Sequence, residues 1–148
     1  MKVNVFNETD YDINLKYYKY FLYFSSNTAD IYGEVNLVFC DDEYIKKLNN
    51  DFRNKNKATD VLTFPMGDIN EGGDIVISYE WVNARYSEEK INKIILKLIF
   101  HSILHLKGIH HNYTKKSLMK NNEKMKELYS NVIKNIKEHR NKNYINKV

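Results

Sequence analysis

The sequence predicts an α+β fold, a small mixed sheet packed with helices around one central buried helix. Three observations predict it. The periodicities along the chain run strand, helix, strand, helix, strand, strand, helix, helix. The segment after Ser87 is apolar nearly all round, at Ile91, Ile94, Ile95, Leu98, Ile99, Phe100, Ile103, Leu104 and Leu106, as a helix enclosed by other elements must be. Finally, 148 residues with 43% hydrophobic content suit one domain with a real core.

Lys2–Phe6 reads as a short edge strand. Leu15–Phe24 carries Tyr17, Tyr18, Tyr20, Phe21, Tyr23 and Phe24, and reads as a helix whose aromatic stripe packs into the core. Glu34–Cys40 alternates apolar Val35, Leu37 and Phe39 with its neighbours, the period of a strand. Asp41 or Asp42 then caps a helix with Tyr44, Ile45, Leu48 and Phe52 at helical spacing on its apolar face. Residues 53–60 form a polar connection to a strand at Val61–Phe64, stopped by Pro65.

Met66–Gly73 contains three glycines and reads as an open, mobile loop, because no two-residue hairpin signal joins the strands on either side. Asp74–Ser78 is the next strand. Ser87 is placed as an N-cap, with Glu88 and Glu89 in the first turn, where the positive helix end favours them. The helix runs to about Lys107, and Gly108 suits the C′ position. A last amphipathic helix is expected over 116–137, with Leu118, Met119, Met125, Leu128, Tyr129 and Ile133 inward. The domain is therefore read as 1–138, and 139–148 as a basic, disordered tail.

Composition excludes several classes. No run of 18 apolar residues exists, so no membrane span is expected. The opening MKVNVFNETDYD has no apolar h-region, so no signal peptide is expected. Cys40 is the single cysteine, which rules out a disulfide framework and points to a reducing compartment. Within the apolar stretch Val35–Cys40 it reads as a small buried hydrophobe rather than a nucleophile. The net charge of +4 is uneven: residues 114–148 carry ten Lys/Arg against three Glu, leaving the first 113 residues net acidic. That basic third suits a polyanion such as RNA, or equally a solvated helix and frayed end.

The chemistry concentrates at His101-Ser-Ile-Leu-His105-Leu-Lys-Gly108-Ile-His110-His111. His101 and His105 are i and i+4 and share one helix face. Gly108 ends the helix and lets the chain turn, which can bring His111 to the same point. Three convergent imidazoles leave a fourth position open, the layout of a catalytic zinc site. Zinc in such a site lowers the pKa of its water to about 7. Two histidines in an apolar stripe would otherwise each need a polar partner. The spacing H-x3-H-x2-G-x2-H also matches metzincin proteases, whose general base is a Glu directly after the first His. Ser102 stands there and cannot take that proton, which argues against a metallopeptidase.

Three segments, in order, carry a more specific likeness over roughly residues 34–135. L-N-N-D-F-R53-N-K-N-K-A-T59-D60-V61-L62-T63-F64-P65, G73-D74-I75-V76-I77-S78 and H-S-I-L-H-L-K-G-I-H-H resemble the YbeY family of rRNA maturation factors, regarded as metal-dependent endoribonucleases. The resemblance implies one zinc per chain on His101, His105 and His111, and a functional role for Arg53. Catalytic roles are expected for Arg53 and His101, and RNA binding for Arg53, with Lys55, Lys57 and the basic C-terminal helix tracking the backbone through sequence-independent charge contacts. A guanidinium there can grip a phosphate bidentately; the alternative is a helix-end arginine pairing with Asp51 or Asp60.

Against the family pattern, Ser102 replaces a glycine, His110 an aspartate, Thr63 a serine and Phe52 a tyrosine. His110 could compete with His111 as the third ligand. The activity implied is cleavage of single-stranded RNA, with rRNA and the small ribosomal subunit as partners and no membrane. The cytoplasm is the expected compartment, with an organelle equally compatible, and a monomer is the expected state. A ribosome-binding factor with a structural metal is the alternative function.

Overall fold

Parallel strands need a crossover between them, and the first helix supplies it. β1 (Lys2–Asn7) and β2 (Glu34–Cys40) run parallel, joined by α1 (Leu15–Thr28). α2 (Asp42–Arg53) follows, then β3 (Val61–Pro65) and β4 (Gly72–Ser78). β4 lies parallel beside β2, and β3 pairs antiparallel with β4 at the far edge, so the sheet order is β1-β2-β4-β3. α3 (Tyr79–Arg85) and α4 (Glu88–Leu106) follow. The computed structural model describes residues 1–68 and 70–108, together with positions 123, 126, 127, 130, 131 and 134, which are helical and exposed. The inward positions expected for a helix over 116–137, and the expected tail at 139–148, lie outside the described residues.

The pleat assigns side chains to two layers. Leu37 and Ile75 are register partners, and with Val35, Phe39 and Ile77 they face α1 and α4 in the larger core. Val76 and its partner Leu62 point the other way, joining Cys40 and Ile45 of α2 in a smaller one. Ile95, Ile99 and Ile103 of α4 are 0% exposed, and each such burial contributes roughly 1.5–3 kcal/mol. The four-stranded mixed sheet packed with helices agrees with the expected α+β class, whereas α4 is buried on one side and leaves Asn92, Lys93 and Lys97 exposed. Among the described residues, no helix is long and apolar enough to cross a membrane.

Several local expectations need correction. α1 continues past Phe24 to Thr28, because the buried Ser25 hydroxyl donates to the Phe21 carbonyl at 2.6 Å instead of breaking the helix. Its stripe is core as expected at Tyr18 and Phe24, whereas Tyr23 is exposed. Of the two expected cap candidates, Asp41 caps α2: its carboxylate accepts from the Tyr44 N–H at 2.8 Å. Tyr44 and Phe52 are exposed, and the residues that α2 buries are Ile45 and Asn49.

Ser87 occupies the N-cap position of α4 with extended backbone, yet its side chain makes no capping bond. β4 begins at Gly72 rather than Asp74, and β3 and β4 form a hairpin closed by a bond from the Met66 N–H to the Gly72 carbonyl at 3.0 Å. The connection is anchored, not open. The Asn70 carbonyl accepts from the Tyr32 N–H at 2.8 Å and its side chain accepts from Lys107 Nζ at 2.6 Å. α3 has no counterpart in the sequence reading, since seven residues are too few to display a helical period.

Candidate metal centre and nucleic-acid interface

α4 delivers the two histidines. Its inward stripe near the end is Ile99, Ser102, Ile103 and Leu106, all buried, so His101 and His105 stand together on the flank, both half-buried. Their ring centroids are 4.8 Å apart and the planes are inclined at 62°. Lys107 caps the helix, its N–H shared between the carbonyls of Ile103 and Leu104, while the Gly108 N–H donates to the His105 carbonyl at 2.9 Å. Gly108 follows at φ 75°, a conformation that favours glycine and does not continue the helix. His110 and His111 lie outside the described residues, and among the described residues no group of three candidate ligand side chains forms. Two imidazoles side by side at a helix end are a donor pair that fits zinc.

Ser102 has a definite place. It is 0% exposed, and its hydroxyl accepts a bond from Thr63 of β3 at 2.9 Å. Facing the sheet, it cannot act as a base toward anything held by the histidines. Thr63 and Ser102 are therefore two departures from the family pattern that meet in space. The contact could be found in the sequence only by asking what a hydroxyl beside His101 would bond.

The basic turn is built at the end of α2. Asn54 caps the helix in the left-handed region at φ 55°, and the buried Asn49 donates from Nδ2 to the Lys57 carbonyl at 2.9 Å. These bonds fix Arg53, Lys55 and Lys57 as one exposed cationic turn. Asn49 is a positioning residue that the sequence reading missed; its only signal was a polar residue in line with Ile45. Asp60 is structural, its carboxylate accepting from the Val61 N–H at 2.7 Å. Cys40 is buried, and burial first, then the carboxylates of Asp41 and Asp42, pushes its thiol up to about 12. It is the inert hydrophobe expected.

The two groups flank one strand. Phe52, beside Arg53, meets Phe64 of β3 edge to face with centroids 5.3 Å apart, while the preceding Thr63 bonds Ser102 beside His101. Successive strand residues point to opposite faces, so the cationic turn and the histidine pair lie on either side of the edge strand β3.

The family model described as Endoribonuclease YbeY matches residues 6–143. A relative from Borreliella afzelii, named Endoribonuclease YbeY, is 39% identical over 90 residues, covering 53% of this chain and 59% of that protein. One from Karelsulcia muelleri, with the same name, is 34% identical over 113 residues, covering 72% and 79% respectively. The alignment thus spans about three-fifths of the Borreliella protein's length. The solution structure of TM1509 from Thermotoga maritima shares the fold, with a TM-score of 0.58, 24% identity and 93% of each chain covered. On the family match and these relatives, the chain belongs to the YbeY family.

Proposed function

We propose that the protein is a zinc-dependent endoribonuclease that cuts single-stranded RNA, chiefly ribosomal, in rRNA maturation and ribosome quality control. The observation that carries this is the His101–His105 pair, 4.8 Å between ring centroids, at the same edge strand β3 against which the Arg53 turn is set. His101 and His105, with His111 as third donor, would hold one zinc per chain. When bound, zinc supplies Lewis acidity toward a phosphoryl oxygen. Arg53 grips the scissile phosphate and offsets charge that develops on it. Lys55 and Lys57 hold neighbouring phosphates without regard to sequence. The partners are rRNA and the small ribosomal subunit, the compartment is the cytoplasm, and the working form is a monomer.

The test pairs metal analysis of the purified protein with cleavage of single-stranded rRNA, for the wild type and His105→Ala. One zinc per chain and cleavage, both lost in the variant, is the expected result. One zinc per chain with no cleavage by either protein would instead support a ribosome-binding factor with a structural metal. No bound metal would overturn the reading.

A further inference from the structure

Phe52 is where an apolar ring gains little from the fold. It is 67% exposed, although α2's periodicity puts it in line with the buried Ile45 and the half-buried Leu48. The last turn of α2 reaches the β3 edge, where Phe64 is the aromatic neighbour against the ring, inclined at 62°. That tilted contact holds the ring while leaving its surface open to solvent.

The surroundings are cationic. Arg53, Lys55 and Lys57 follow in the exposed turn set by Asn54 and Asn49, against Asp51 on the preceding side. A fixed aromatic surface next to three cations is the combination that binds unpaired nucleic acid, the ring taking a base and the cations the backbone.

We propose that Phe52 is a stacking platform for one unpaired nucleobase of single-stranded RNA, whose adjacent phosphates lie against Arg53, Lys55 and Lys57. The inference rests on the RNA substrate proposed above and adds where the strand is gripped by a base. Phenylalanine carries no hydroxyl, so the platform reads a π-face and no hydrogen-bonding edge. Every base has such a face, so the platform accepts any of the four.

The experiment measures fluorescence anisotropy with a labelled single-stranded RNA dodecamer, checked intact on a gel, and with the same strand carrying abasic riboses throughout. Zinc-loaded full-length protein is used for the wild type, Phe52→Ala, Phe52→Leu, Phe52→Tyr and Phe52→Trp. The exposed position makes all four variants foldable, which thermal melts verify. Phe52→Ala and Phe52→Leu are expected to weaken binding of the RNA roughly tenfold and leave the abasic strand unchanged, while Phe52→Tyr and Phe52→Trp bind as the wild type does. The fluorescence of Phe52→Trp is expected to be quenched by the RNA.

Wild-type affinity in Phe52→Leu, or equal weakening on both strands, overturns the platform. So does unchanged RNA affinity with lost binding to the small ribosomal subunit, which would make Phe52 a protein contact. Cleavage by the wild type with Phe52→Leu unaltered rejects the platform and keeps the nuclease. A base-dependent Phe52 effect without cleavage keeps the platform and rejects the nuclease. Binding to neither strand rejects both.

Discussion

Thr63 Oγ1 donates a hydrogen bond to Ser102 Oγ across 2.9 Å, joining β3 to α4 one residue from His101. Both side chains are buried, so water cannot replace either partner. Removing one hydroxyl strands the other and costs about 1–3 kcal/mol, whereas replacing both by apolar groups is close to neutral. Ser102→Ala is therefore expected to lower unfolding free energy by that amount, and Thr63→Val with Ser102→Ala to recover most of it. Urea denaturation of both single variants and the double variant checks this, with non-additivity as the signature.

Arg53 is exposed at the end of α2, so its removal should leave the fold intact. Arg53→Ala is expected to lower kcat on single-stranded RNA by about a hundredfold or more with an unchanged melting temperature. Arg53→Lys should recover only part of that, because an ammonium cannot bond a phosphate through two parallel N–H groups. Equal cleavage by Arg53→Ala and the wild type would return Arg53 to a helix-end role.

Lys55 and Lys57 predict a salt signature. Each phosphate contact removed should reduce the slope of log affinity against log salt by roughly 0.7 for a single strand. Lys55→Ala and Lys57→Ala are expected to weaken binding at low salt and flatten that slope, with little effect on which RNA sequence is bound. Titrations at four salt concentrations measure it.

Gly73 is a steric prediction. At φ 153°, a Cβ placed there would sit 2.3 Å from the Phe64 carbonyl oxygen, 2.8 Å from Leu106 Cδ2 and 3.0 Å from Pro65 Cα. Backbone atoms cannot retreat as a side chain can. Gly73→Ala is expected to destabilise the protein by more than about 2 kcal/mol, read by chemical denaturation, and to loosen the end of α4 that Leu106 anchors.

Cys40 gives a pH dependence. Its thiol is pushed up to about 12 in the folded protein, from an ordinary value of 9.0. Between these values the unfolded chain releases the proton and the folded chain keeps it, so ν is smaller in the unfolded state. The contribution is thus fully present below pH 9 and is lost as pH rises toward 12. A thiol reagent at pH 8 should leave Cys40 unmodified in the native protein and label it after unfolding in urea.

The elements whose signals are local were legible in the sequence. Asp41, one of two adjacent cap candidates, caps through its own side chain, Gly108 takes its own positive φ, and the apolar residues of α4 mark the side it buries. What depends on neighbours was not. Phe52 fits an inward helical stripe, and only the position of the β3 edge leaves it outside. The β3–β4 hairpin lacks a two-residue turn signal because its connection is held from afar, by Tyr32 and Lys107 on Asn70. At the candidate site, the i, i+4 histidines were plain from spacing, while the clamp of Asn49 on Lys57 joins residues whose sequence separation says nothing of a bond.

The sheet order has a consequence for synthesis. β4 is the last of the four strands to be made, yet it lies between β2 and β3. While the ribosome is still translating toward residue 72, β1 and β2 can pair, but β2 keeps a bare edge and β3 has no neighbour at all. Exposed strand edges of that kind invite pairing with other chains. Folding of the nascent chain is thus gated by the arrival of Gly72–Ser78, which closes both open edges in a single step.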